Sequence, residues 1–432
     1  MKLAINGGTP VRERENFFPS QETIGEEEKN AVMDVMNDGI LSHYRGNYIP
    51  AFRGGPQVKA FEREWCEKFN TDYAIAVNSC TSALQIACGA VGIEPGDEVI
   101  VTPWSMSCSA TAPMVWGGIP VFADIDYNTF NLTVETVKDK ITKRTKAIIA
   151  VDLFGCSIDP ALRKFCDEKG IYLIEDAAQA PGATSEGKYS GNLGHIGCFS
   201  FTQGKHMTSG EGGLISTNDP TLARKCQLIR NHAESVISAS VGSNENWFKW
   251  NNMLGFNLRM TEIQAAIMRC QLRKINRFIL IRRENTQAIY KGIANSFFLP
   301  ITTPQPPSYE QYHSFYVCPF YWDKKRAEGI HRDKYLEAVK AELSFENKRI
   351  DRGIPIGGGY IQPLYRMPLF QNRQHWSIDR GGKYCITLPT VEKLWKDDFF
   401  LTLYHGLSLS LKDRADIIEA FHKVWENREE LR

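Results

Sequence analysis

From residue 73 to 217 the chain alternates short apolar runs, rich in β-branched residues, with longer amphipathic ones. Residues 73–77 read as a strand followed by a helix over 81–90. Residues 98–102, 120–123, 147–153 and 172–175 read as further strands, and 198–202 and 213–217 follow with no long helix between them. Apolar strands alternating with helices predict a mostly parallel sheet covered on both faces. Ligands of such sheets bind beyond the carboxyl ends of the strands. Upstream, Thr23-Ile24-Gly25-Glu26 has capping-box spacing and predicts a helix running toward Met36. Residues 37–56, rich in Gly and Tyr, read as loop. Downstream, Ile263, Ala266, Ile267, Cys270 and Leu272 form a stripe near helical spacing, which predicts one long helix over 258–295. The expected class is α/β. A large domain over 1–270 includes an N-terminal arm, and a smaller α+β domain covers 271–432.

Composition narrows the function classes. The 432 residues are 43% hydrophobic and 23% charged with a net charge of +1, ordinary for a soluble globular protein. The balance gives no electrostatic case for nucleic acid or membrane as partner. No apolar run approaches the roughly 18 residues of a membrane span, and the first residues lack the form of a signal peptide. The eleven cysteines contain no CxxC pair, which argues against a disulfide framework and against a structural zinc site. No metal site is expected. Cys88, Cys198 and Cys270 sit in apolar company and read as buried thiols, so a cytoplasmic location is expected.

Three segments carry candidate chemistry. In Ser200-Phe201-Thr202-Gln203-Gly204-Lys205, followed by Glu211-Gly212-Gly213, a lysine stands just past a short apolar strand and before a glycine-rich turn. Its amine could form a Schiff base, although an arbitrary lysine is more often a solvated surface charge. In Ile174-Glu175-Asp176-Ala177-Ala178-Gln179 a strand ends in an acid, which could hold a heterocyclic nitrogen protonated or simply cap a helix start. In Asn78-Ser79-Cys80-Thr81 a polar turn opens an apolar helix, where free amides suit a phosphate or an ordinary N-cap. A nicotinamide-dependent reductase would need a GxGxxG turn after an early strand, and this turn is not one.

The order of these segments resembles the DegT/StrS-type sugar aminotransferases of the fold type I, aspartate-aminotransferase superfamily. The resemblance spans nearly the whole chain. It includes Gly55-Pro56, Pro120-Val121-Phe122 with Asp124, Gly255-Phe256-Asn257 with Arg259 and Glu262, and Pro363-Leu364-Tyr365 with Pro368. It implies a pyridoxal 5'-phosphate cofactor in Schiff-base linkage to Lys205, with Asp176 at the ring nitrogen and Gln179 on the ring-hydroxyl side. Ser79, Cys80, Thr81 and Ser200 would hold the phosphate. Asn257 would reach the phosphate of a second subunit, implying a homodimer with shared active sites. Cys80 departs from the glycine usual in the family. The segment Pro103-Trp104-Ser105-Met106 aligns awkwardly where the family places an aromatic ring over the cofactor; Trp104 is the candidate, ahead of Met106. Some relatives carry histidine at the lysine position and dehydrate the sugar. Lys205 here favours transamination over that dehydratase branch; a sugar dehydratase or an aminohydroxybenzoate-synthase-like enzyme is the alternative reading. A non-catalytic regulatory homologue would be expected to have lost Lys205 or Asp176. The implied partners are an amino-acid donor, L-glutamate or L-glutamine, and a keto sugar (nucleotide-linked) or keto-cyclitol acceptor. Candidate substrate contacts are His313, Tyr316, Tyr365, Arg366 and His405, with core packing or surface capping as the plain reading of each.

Overall fold

The computed structural model describes the chain except residues 1, 14, 15, 17, 20–22, 47–48, 234–252, 295–297, 344–355, 373–385 and 407, and the side chain of 405. Seven strands form the central sheet: β1 (Tyr73–Val77), β2 (Glu98–Val101), β3 (Ile119–Phe122), β4 (Thr145–Val151), β5 (Tyr172–Asp176), β6 (Ile196–Ser200) and β7 (Gly213–Thr217). Their order is β1-β7-β6-β5-β4-β2-β3. β7 pairs antiparallel with both neighbours, and the other pairings are parallel. The α/β class expected from the strand–helix alternation is what the chain adopts.

The strands are apolar on both faces because both faces are covered. α1 (Glu26–Asp38), α2 (Pro56–Phe69), α3 (Cys80–Ala90), α4 (Cys108–Thr111), α5 (Pro220–Arg230) and α6 (Glu262–Ile293) precede the C-terminal part. On β1, Ile75 and Val77 join a core with α3 and α5, whereas Ala74 and Ala76 face α2 and α6. This alternation is the period of two that any strand imposes.

A second core gathers Ile289 and Ile293 from the end of α6 with Phe320, Phe400 and Phe421. It is built on an antiparallel sheet of β8 (Ile301–Thr302), β9 (Cys318–Trp322), β10 (Ile356–Gly358) and β11 (Phe399–Thr402), in the order β8-β9-β11-β10. α7 (Arg332–Glu342) and α8 (Leu411–Glu426) pack on it. The N-terminal arm belongs to this core: Leu3 is buried in it. The Leu3 amide donates to Glu430 at 3.0 Å, and the amides of Ala4 and Val11 donate to Glu342 at 2.8 and 3.1 Å. Arg12 pairs with Asp413 and Asp416 at 2.8 and 2.9 Å. The expected break after residue 270 falls inside the unbroken helix α6.

Two helix starts differ from expectation. α1 is capped at Gly25, whose amide donates to Glu28 at 2.8 Å, rather than at Thr23. α6 begins after Thr261, whose hydroxyl caps Gln264, because residues 258 and 259 are extended: the Leu258 carbonyl accepts from Asn78 and Arg259 bridges Val77.

Two carboxyls are buried side by side behind the strand ends. Asp152 Oδ1 accepts from the Ile158 amide at 2.7 Å, and Glu175 Oε2 accepts from Leu193 and Gly194 at 3.0 and 2.9 Å. The remaining oxygens, Asp152 Oδ2 and Glu175 Oε1, are buried within reach of each other and meet no donor. Burial and mutual repulsion push the pair's proton affinity up, so the two share one proton. The folded state therefore keeps a proton that the unfolded chain releases above its ordinary carboxylate range, and stability falls as pH rises through that window. Each proton so held costs about 1.4 kcal/mol per pH unit. Asp152→Asn, which offers an N–H to Glu175, is expected to gain in urea midpoint over the unmodified protein as pH rises above the ordinary carboxylate range of about 4. A gap that stays constant with pH would mean that no proton is shared.

Candidate active site

The candidate residues converge at the carboxyl ends of the parallel strands. β1 runs into Ser79, the N-cap of α3, whose hydroxyl accepts from the Ser82 amide at 3.1 Å. β7 begins beside this turn. A Cβ on Gly213 would lie 2.4 Å from the Ser79 carbonyl carbon, so only glycine permits the approach. The amides of Cys80 and Thr81 donate to no acceptor among the described residues, and Thr81 is exposed. Ser200, half-buried, ends β6 with its hydroxyl 3.5 Å from the Thr202 amide.

Asp176 ends β5 and is buried. Its Oδ2 accepts from the Ser109 hydroxyl at 2.7 Å. Its Oδ1 accepts from the Ala178 amide at 3.2 Å and lies 3.7 Å from the Cys80 thiol. The Cys80 side chain thus turns toward the carboxylate. Burial raises the Asp176 pKa, while the Ser109 and Ala178 hydrogen bonds and the charge of Lys205 oppose that rise. The carboxylate has no ion pair among the described residues, and a cationic N–H donor would complete it.

Lys205 is 8% exposed, its amine 4.2 Å from the centroid of the Tyr316 ring. Among the described residues Nζ makes no hydrogen bond or ion pair. Tyr316 is delivered by a zipped pair of loops: its amide donates to Phe154 at 2.8 Å, and the Ser314 amide donates to Gly155 at 3.0 Å. Both loops carry a left-handed phenylalanine, Phe154 at φ 62° and Phe315 at φ 50°, a conformation uncommon for bulky residues and held by the surrounding bonds. Gln179 is pinned at both ends, accepting from the Phe154 amide at 2.9 Å and donating to the Tyr360 hydroxyl at 3.3 Å.

Several candidates are placed elsewhere. Trp104 packs in the core. It is fully buried, its indole N–H donates to the Ile361 carbonyl at 2.8 Å, and Phe130, Phe154, Tyr360 and Phe399 meet it edge-on. It is a core residue, whereas Met106 is 57% exposed. Tyr365 is buried with its hydroxyl on Glu392, and Arg366 forms a two-pronged pair with the same carboxylate at 2.5 and 2.7 Å. His313 stacks on Phe315 and accepts from its amide at 2.9 Å; burial and Arg283 hold its pKa down to about 3, so it stays neutral. His405 lies outside the described side chains. Asn257 is exposed on the segment bridging Asn231. Ser109 and Tyr360 were not singled out by sequence. Ser109 lies just beyond the segment that aligned awkwardly, and Tyr360 follows a glycine run that gave no chemical signal.

Residues 22–402 match the model of the DegT/DnrJ/EryC1/StrS aminotransferase family. The chain belongs to this family. Among curated members, it is 31% identical over 418 residues to the spore coat polysaccharide biosynthesis protein SpsC of Bacillus subtilis, covering 96% of this chain and 98% of that one. It is also 31% identical to the L-glutamine:2-deoxy-scyllo-inosose aminotransferase of Streptomyces kanamyceticus, covering 99% and 97%. The fold is similar to the X-ray structure of an aminotransferase from Psychrobacter cryohalolentis, with a TM-score of 0.78, 29% identity, and 95% and 99% of the two chains covered. As a DegT/DnrJ/EryC1/StrS member the chain is an aminotransferase. No described helix is long and apolar enough to cross a membrane, and no described His, Cys, Asp and Glu cluster could hold a metal.

Proposed function

We propose that this aminotransferase moves an amino group from L-glutamine or L-glutamate to a keto sugar or keto-cyclitol, using pyridoxal phosphate bound at the strand ends. The observation that carries the proposal is the joint placement of Lys205 and Asp176, an amine without a hydrogen bond and a buried carboxylate without an ion pair among the described residues. The substrate class is supported by relatives named for aminotransfer to 2-deoxy-scyllo-inosose and for GDP-perosamine synthesis.

The residues present suit the cofactor. The unused amides at the start of α3, beside Thr81 and Ser200, suit its phosphate. Asp176 would hold its ring nitrogen protonated, and Gln179 would border the ring-hydroxyl side. When bound, pyridoxal phosphate supplies an aldehyde carbon for Schiff-base formation and a ring that withdraws electrons. Lys205 Nζ takes the proton from the carbon that bears the donor's amine and later returns one to the carbon that receives it. The Tyr316 ring beside Nζ limits where the amine swings. Asn257, exposed here, would complete the site of a second copy, so the functional unit is proposed to be a homodimer. Free thiols at all ten described cysteines support a cytoplasmic location.

The test is the visible spectrum of the protein loaded with pyridoxal phosphate. A Schiff-base band should appear, fade on adding L-glutamine or L-glutamate, and return with a keto sugar or keto-cyclitol. If no band forms, the proposal fails. If neither donor bleaches it, the donor assignment fails.

A further inference from the structure

Asp176 and Ser109 reach their contact from different connections. Asp176 ends β5, whereas Ser109 lies on α4 in the crossover between β2 and β3. Both are buried, at 3% and 0% exposure, and their 2.7 Å bond is the shortest made to the carboxylate. The Ser109 Oγ in turn lies 3.4 Å from the Oγ of Ser105, itself 2% exposed. The other oxygen of Asp176 is held only by a longer bond from its own turn, the Ala178 amide, and by a weak thiol donor. Without Ser109, only the Ala178 amide and the Cys80 thiol, both on the other oxygen, would hold the carboxyl group among the described residues.

We infer that Ser109 is a positioning residue, its hydroxyl fixing the orientation and the charged state of the Asp176 carboxylate presented to the cofactor ring. The inference rests on the pyridoxal phosphate reading above. A hydroxyl donating to a buried carboxylate favours its ionised form, and an orphaned carboxylate reverts to holding a proton. The ionisable groups around Asp176 are Cys80 on α3, Cys108 on α4, Cys198 on β6, Lys205 after β6, Tyr360 after β10, and Glu175 beside it on β5. The three thiols and the phenol are pushed up by burial and stay neutral through the neutral range. Glu175 is held by Leu193 and Gly194, and neither it nor Lys205 bonds Ser109, so a pH response moved by Ser109 acts through the Asp176 carboxylate.

The experiment compares the unmodified protein, Ser109→Ala and Ser109→Thr, each loaded with pyridoxal phosphate. Three quantities are read: the absorption band against pH, the dissociation constant for the cofactor, and kcat with KM for the amino donor. Ser109→Ala is expected to move the acidic limb of the spectral and kcat profiles up by about one pH unit and to weaken cofactor binding roughly tenfold, the scale of one charge-assisted hydrogen bond. KM for the donor should stay within about twofold, since Ser109 is fully buried. Ser109→Thr, which keeps the hydroxyl, should restore all three. Profiles of Ser109→Ala that superimpose on the unmodified protein would overturn the inference, as would a threonine variant that behaves like alanine. If the unmodified protein itself forms no band, the cofactor reading falls first, and that result is distinct from either.

Discussion

Lys205→Ala is expected to cost at least about 10⁴-fold in turnover, because it removes both the Schiff-base amine and the group that moves the proton. The loss should fall on kcat, with little change in the donor's KM. Among the described residues the amine has no hydrogen bond or ion pair to lose, and Nζ lies 4.2 Å from the centroid of the Tyr316 ring. The thermal midpoint of the cofactor-free variant should therefore match that of the unmodified protein. Added methylamine, which fits the space of the missing side chain, should recover a small part of the rate. A variant that keeps full turnover would remove Lys205 from the chemistry. A variant that unfolds would show that the side chain is structural, against the geometry.

Asp176→Asn is expected to separate stability from activity. In the cofactor-free protein, burial raises the Asp176 pKa above its usual 3.8, so ionising it in the folded state is unfavourable. The sign follows directly. The unfolded chain releases its proton first, and stability falls as pH rises from about 3.8 through the raised value. Asparagine carries no such dependence. The cofactor-free variant should therefore be the more stable of the two at pH 7 to 8, and the difference should close below about pH 4. The loaded variant should lose roughly 10²–10³-fold in kcat, the scale of removing one preorganised electrostatic partner. Melting curves of cofactor-free protein across pH, with kcat at pH 7.5, test both halves. A variant less stable at neutral pH would mean that the carboxylate is already compensated without the cofactor.

The sheet was readable because its strands obey one local rule. Ile75, Val99, Ile148, Leu173 and Ile215 lie in buried, β-rich runs bounded by turns, and 73–77 and 213–217 form strands with those bounds. The strand-end placement of Lys205 and Asp176 was readable for a related reason: each is a charged residue at or past the end of an apolar run, and the topology brings such ends to one edge. Trp104 was misread because an aromatic at a strand end looks alike whether it faces a ligand or a core. What decides is Tyr360 and Phe399, more than 250 residues on, which close around it. Arg366 and Tyr365 fail in the same way, since their partner Glu392 is set by tertiary packing and not by local pattern. Ser109 is the converse case. A serine in a short helix carries no chemical signature until the fold brings it 2.7 Å from a carboxylate.

The seam between the N-terminal arm and the second core has a consequence for biosynthesis. The Leu3 amide bonds a residue 427 positions later, and Val11 bonds one 331 positions later. At roughly 5–20 residues per second, a ribosome that has made Leu3 needs about 20 to 85 s to make its partner. The central sheet can close in that interval, because its seven strands end by Thr217. The arm waits, with Leu3 and Arg12 uncovered, until Glu342, Asp413, Asp416 and Glu430 arrive. A segment made before the central sheet is thus secured after it, and a nascent chain stalled before residue 342 would present its arm to proteases and chaperones while the sheet behind it is already shut.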